Sequence, residues 1–124
     1  MKKDISKICY LFFSTLANPT RLAILELLGE GEKNVTEISN TLNQEQSMIS
    51  HNLRPLERCG FIFSQRKKRE RYYSLNKETI EPMFKTFSYH ASKYCPTDGR
   101  CLTKEHLIER RKEEATNLLY LSRQ

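Results

Sequence analysis

Almost every stretch of this chain is patterned for helix, and one is not. Phe61-Ile62-Phe63 and Arg71-Tyr72-Tyr73-Ser74-Leu75 are two short β-type runs around a charged loop. Such a pair reads as a hairpin. One hairpin among helices restricts the fold to a mainly α architecture with a small β element. The loop carries Arg66-Lys67-Lys68-Arg69 and no glycine. A tight two-residue turn is therefore not expected, and the loop should be longer.

The helices follow from apolar spacing and punctuation. Residues 4–17 put Ile5, Ile8, Phe12 and Leu16 on one face, with Cys9, Leu11 and Phe13 beside them. Asn18 caps a second helix that Pro19 opens. Leu22, Ile24, Leu25, Leu27 and Leu28 should be largely buried there, and Gly29 and Gly31 end it. Residues 35–42 make a short helix with Val35, Ile38 and Leu42 inward. Asn43 is expected to cap the next helix, with Gln46 completing a capping box. That helix runs to about Arg58, with Met48, Ile49, Leu53 and Leu56 inward. Pro55 within it predicts a kink or an early end, and Gly60 closes it. After the hairpin, residues 77–95 carry a stripe of Ile80, Met83, Phe84, Phe87, Ala91 and Tyr94. Cys95-Pro96 ends that helix, Asp98-Gly99 turns, and a charged last helix covers Leu102 to about Leu121.

The expected order is α-α-α-α-β-β-α-α. A helix-turn-helix followed directly by a hairpin is the winged helix-turn-helix arrangement. Residues 1–95 read as the winged domain, and residues 96–124 as a cysteine-containing tail with a C-terminal helix.

Function classes narrow quickly. The chain has 124 residues and only four glycines, with no GxGxxG, phosphate loop, GxSxG or HExxH. No nucleophile–base pair or carboxylate pair stands out, so an enzyme is not expected. No apolar run approaches the roughly 20 residues of a membrane span. The N-terminal pattern does not fit a secretory signal, so a cytoplasmic protein is expected. With 38% hydrophobic residues the core should be thin, which favours dimerisation.

The net charge is +6, and residues 54–71 supply +5 of it. The second helix of a helix-turn-helix enters the DNA major groove by its N-terminal end. Here that end presents Gln44, Gln46, Ser47, Ser50 and His51, with Arg54 further along. Glutamine can pair with adenine edges, arginine with guanine, and serine with bases or phosphates. Arg66, Lys67, Lys68, Arg69 and Arg71 would lie along a backbone or in a minor groove. The plain alternative is a solvated hairpin whose charges serve solubility. A winged helix that binds RNA or protein is the competing interaction class.

Three blocks resemble one family. Leu16-Ala17-Asn18-Pro19-Thr20-Arg21-Leu22-Ala23-Ile24-Leu25 resembles the second-helix signature of the ArsR/SmtB repressors. Gln46-Ser47-Met48-Ile49-Ser50-His51-Asn52-Leu53 resembles their recognition helix, and Arg69-Glu70-Arg71-Tyr72-Tyr73-Ser74-Leu75 their second wing strand. The blocks stand in the family's order, and the likeness covers about residues 5–95. It implies a homodimer built on the first helix and the helix near 77–95, bound to double-stranded DNA at an inverted-repeat operator. It implies repression released by an effector, with no cofactor required for DNA binding.

The cysteines bear on the effector. Residues 34–41 hold no cysteine, so the family's arsenic and lead site in the third helix is absent. The zinc and cobalt site is disfavoured too, since only His90 stands on the helix near 80–95. The cadmium- and lead-sensing branch uses two thiols late in the recognition helix. Cys59 falls where the second would be, and Pro55 replaces the first. With the tail thiols Cys95 and Cys101, Cys59 could form a trigonal sulfur site for As(III), Cd(II), Pb(II) or Cu(I). The rival is redox: Cys95 and Cys101 joined by a disulfide or polysulfide. A structural zinc on Cys95, Cys101 and His90 or His106 is a lesser variant, and Cys9 reads as buried packing.

Overall fold

A computed structural model describes residues 10–97. The elements are α1 (Leu11–Leu16), α2 (Pro19–Leu28), β1 (Lys33–Asn34), α3 (Val35–Leu42), α4 (Gln46–Arg58), β2 (Ile62–Lys67), β3 (Glu70–Leu75) and α5 (Lys77–Tyr94). The architecture is the winged helix-turn-helix: mostly helical, with one small antiparallel sheet. The readings at Ile5, Ile8, Cys9, Asp98-Gly99, Cys101, His106 and the last helix lie outside the described residues.

Local chemistry sets most boundaries. Asn18 is extended, and its Oδ1 accepts the Arg21 N–H at 3.0 Å while Pro19 takes the first helical position. Asn34 and Glu37 make a reciprocal capping box at the start of α3. The capping role expected of Asn43 is not observed. Asn43 instead terminates α3 in the left-handed region, φ 53° and ψ 49°, where asparagine is tolerated. Glu45 precedes α4 without a side-chain cap. The turn between the helices is held by the Ser39 hydroxyl donating to the Gln44 carbonyl, and by the Gln44 N–H donating to the Ser39 carbonyl.

The sheet has the order β1-β3-β2 and is antiparallel throughout. Its third strand, the two-residue β1, was not expected. Lys33 and Asn34 pair with Tyr73 and Tyr72. The wing also turns more tightly than expected: Lys67 faces Glu70, leaving only Lys68 and Arg69 in the loop. Lys68 adopts φ 58°, doing without glycine what a glycine normally does there.

The core gathers Ile24, Leu25 and Leu28 of α2, Ile38 of α3, and Ile49, Leu53 and Leu56 of α4. Leu16, Leu27, Phe61, Ile62, Leu75 and Ile80 complete it, and Phe12 meets Phe61 edge-on at 5.0 Å. Two residues depart from the expected stripe. Leu22 is 41% exposed and Met48 is 52% exposed. On α4 the inward row is Ile49, Asn52, Leu53 and Leu56, at the i, i+3, i+4, i+7 spacing of one face. Met48 falls one residue outside that row. Pro55 does not end α4 early; the helix continues to Arg58, and the Cys59 N–H reaches the Pro55 carbonyl at 3.0 Å. The chain follows Gly60, at φ 77°, into the hairpin.

A division between Phe84 and Lys85, inside α5, separates two compact units. In the second, His90 and Tyr94 stack with centroids 5.3 Å apart.

Candidate nucleic-acid interface

α4 turns one face to the core and the other outward. Gln46, Ser47, His51 and Arg54 are exposed, Ser50 is half-buried, and Met48 shares the outer surface. The Gln46 amide reaches Thr36 of α3 at 3.4 Å. Gln44 sits before the helix, half-buried, and exchanges hydrogen bonds with the Thr20 hydroxyl at 3.2–3.3 Å. It therefore ties the turn to α2.

Beneath this face lies a polar lock that the sequence patterning missed. Asn52 is only 4% exposed, in a row otherwise apolar. Its Oδ1 accepts Arg21 Nε at 3.0 Å, and its Nδ2 donates to the Met48 carbonyl at 2.9 Å. Arg21 Nη1 reaches the Thr15 carbonyl at 3.3 Å. One guanidinium thus joins α1, α2 and the inner side of α4. The one signal in the sequence was an asparagine within the apolar row of α4; its partner Arg21 was not legible there.

On the wing, Arg66, Lys67, Lys68, Arg69 and Arg71 are all exposed. Lys67 pairs with Glu32, and its Nζ lies 5.7 Å from the Tyr72 ring centroid. Arg71 Nη1 donates to Ser64 Oγ at 3.0 Å, and Ser64 in turn donates to Glu57. Glu70 accepts from the Asn34 side-chain amide at 3.0 Å, which fastens the wing to β1. Arg66 and Arg71 stand directly opposite each other across the hairpin. Like charges in register destabilise a sheet, so this arrangement suits a surface that meets an anion.

The two described thiols fall in different units. Cys59 is half-buried at the end of α4, with Sγ 3.4 Å from Thr15 Oγ1. It lines a cavity of about 560 Å³ together with Leu11, Phe12, Pro55, Arg21 and Arg58. Cys95 lies in the second unit, with Sγ 3.2 Å from Thr97 Oγ1. Among the described residues no group of three or more metal-ligating side chains forms. No described helix is long and apolar enough to cross a membrane.

A family model for "Bacterial regulatory protein, arsR family" matches residues 18–64, the segment from the Asn18 cap into the first half of the first wing strand. The transcriptional repressor SdpR of Bacillus subtilis is 35% identical over 69 residues, covering 56% of this chain and 77% of SdpR. The chain belongs to the arsR family. As an arsR-family chain it is also similar to the regulator NmtR of Mycobacterium tuberculosis, 36% identical over 76 residues. That match covers 61% of this chain but only 63% of the length of NmtR. A homodimeric winged helix-turn-helix DNA-binding domain from Mycobacterium bovis, Mb0332, superposes with a TM-score of 0.62 at 28% identity. It covers 68% of this chain and 78% of that one. The arsR family is one of transcriptional regulators, not enzymes.

Proposed function

We propose that this arsR-family chain is a DNA-binding repressor that acts in the cytoplasm as a homodimer on an inverted-repeat operator. The outer face of α4, flanked by a wing of five exposed basic residues, carries this reading. Gln46, Ser47, Ser50, His51 and Arg54 would contact base edges and nearby phosphates. Gln44 would act from the turn, and Met48 adds an apolar group suited to a thymine methyl. Arg66, Lys67, Lys68, Arg69 and Arg71 would follow the phosphate backbone. Residues 1–95 would form the DNA-binding and dimerisation domain, and residues 96–124 the sensing tail. The exposed Phe13 of α1 and Phe87 of α5 fit a dimer seam, and Mb0332 is itself homodimeric.

The effector reading is a thiophilic metal or metalloid. Cys59, Cys95 and Cys101 would hold the ion, an all-sulfur donor set that suits As(III), Cd(II) or Pb(II). Cys59 fits this role, since it is half-buried and lines a cavity. A bound ion would supply a link between the end of α4 and the tail. A difference of a few kcal/mol between the two states suffices for a working switch.

Fluorescence anisotropy of the reduced protein on DNA from its own upstream region tests both levels. Tight, salt-sensitive binding lost on adding As(III) or Cd(II) is expected. Binding unmoved by metal but lost with oxidant or persulfide would replace the metal reading with a Cys95–Cys101 redox switch. DNA affinity unchanged in Gln46→Ala/Arg54→Ala would overturn the interface.

A further inference from the structure

We propose that the cavity between α1, α2 and the end of α4 binds a small organic carboxylate with an apolar body, and that Arg21 carries its occupancy to the recognition helix. The binding half stands apart from the repressor reading; the transmission half rests on it.

At about 560 Å³ the cavity lies in the range of small-molecule sites. Leu11, Phe12 and Pro55 line one part, and Arg21 and Arg58 supply two guanidinium groups. No carboxylate of the described residues lines it. Lys67–Glu32 is the one ion pair among the described residues, so Arg58 pairs with no described carboxylate. A concave, mainly apolar wall carrying two arginines selects an anion whose remaining surface is apolar. A planar guanidinium recognises a carboxylate through paired N–H donors.

Arg21 connects this site to α4. Its Nε holds Asn52, its Nη1 holds the Thr15 carbonyl, and the same side chain lines the cavity. A carboxylate that recruits the Arg21 fork competes with Asn52 for it. Asn52, released, no longer braces the Met48 carbonyl from a fixed position. The outer face of α4 then shifts against the wing. Arg21 is here a positioning residue, and neither Cys95 nor Cys101 is required.

The test uses the full chain with benzoate, octanoate and indole-3-carboxylate, and with benzamide as an uncharged match for benzoate. Amide NMR shifts are followed on the DNA-free protein. At least one carboxylate should give saturable shifts at Thr15, Arg58 and Cys59, extending to Met48 and Asn52. Benzamide should not, and Arg58→Gln should weaken the binding about tenfold or more. These shifts should persist in Cys95→Ser/Cys101→Ser. No saturable shift with any of the three acids, or equal binding of benzamide, overturns the site. With DNA added, the bound acid should lower operator affinity at least about fivefold in the parent chain, and that ratio should fall to about one in Asn52→Ala. A ratio unchanged in Asn52→Ala overturns the transmission while leaving the site. A chain that binds the acids but no DNA removes the repressor reading and leaves the cavity assignment standing.

Discussion

Asn52 occupies a place where helical periodicity calls for a hydrophobe, and its two hydrogen bonds explain why a polar side chain is tolerated. Removing it leaves the Arg21 Nε donor without its partner inside the fold. Asn52→Ala should destabilise the protein by about 1–3 kcal/mol in urea denaturation, well beyond the effect of an exposed Asn→Ala change. Arg66 illustrates the opposite balance. It faces Arg71 in register, so Arg66→Gln should raise stability by about 0.2–1 kcal/mol while weakening DNA binding. A loss in both would show that the pair is not held against repulsion. Tyr73 gives a pH signature. Burial chiefly, and then Glu57, push its phenol above the ordinary 10.0, with Arg71 and Arg54 pulling the other way. The folded chain keeps that proton where the unfolded chain has released it. The contribution is complete below pH 10 and is lost as pH rises through the folded value. Denaturation midpoints measured upward from pH 10 should fall less steeply in Tyr73→Phe.

Among the elements, those with helical spacing and a marked start were legible. The span 35–42 of α3 agrees with the expectation, and its Asn34-Val-Thr-Glu37 box was there to be read. The Asn18-Pro19 start of α2 was read correctly. Two joints were not. Asn43 can cap a helix or end one; here it ends α3 in the left-handed region, and the Ser39–Gln44 bonds close the turn beside it. The hairpin tip looked too basic and too poor in glycine for a two-residue turn. Yet β2 and β3 keep register to Lys67 and Glu70, which forces Lys68 to positive φ. Lys68→Gly should relieve that conformation and stabilise the fold by roughly 0.5–1 kcal/mol, after the added freedom of the unfolded chain is counted. Thermal melts of the two proteins decide it, and a lower melting temperature in the glycine variant would falsify the strain assignment. The strand β1 was invisible because two residues hold no periodicity; it exists only because β3 offers a free edge.

For the whole molecule, the charge and the uncovered apolar residues point to assembly. Phe13 is 64% exposed on α1 and Phe87 is 54% exposed on α5. Phe13→Lys should therefore shift the protein from dimer to monomer in sedimentation equilibrium and reduce operator affinity with it. A dimeric Phe13→Lys protein of full DNA affinity would exclude α1 from the seam. The helix-turn-helix and the basic wing were legible from residue spacing and charge, because periodicity, caps and charge are local properties, whereas the family came from the resemblance of three sequence blocks. The outward face of α4 was legible for Gln46, Ser47, His51 and Arg54 for the same reason. Met48 and Leu22 were misread, since an apolar residue beside a stripe is buried only if a neighbouring element covers it. The Arg21–Asn52 lock and the cavity that Cys59 shares with two arginines were beyond reach. The lock joins residues 31 positions apart and the cavity brings Arg21 to Arg58 and Cys59, and only the packing of α1, α2 and α4 places them together.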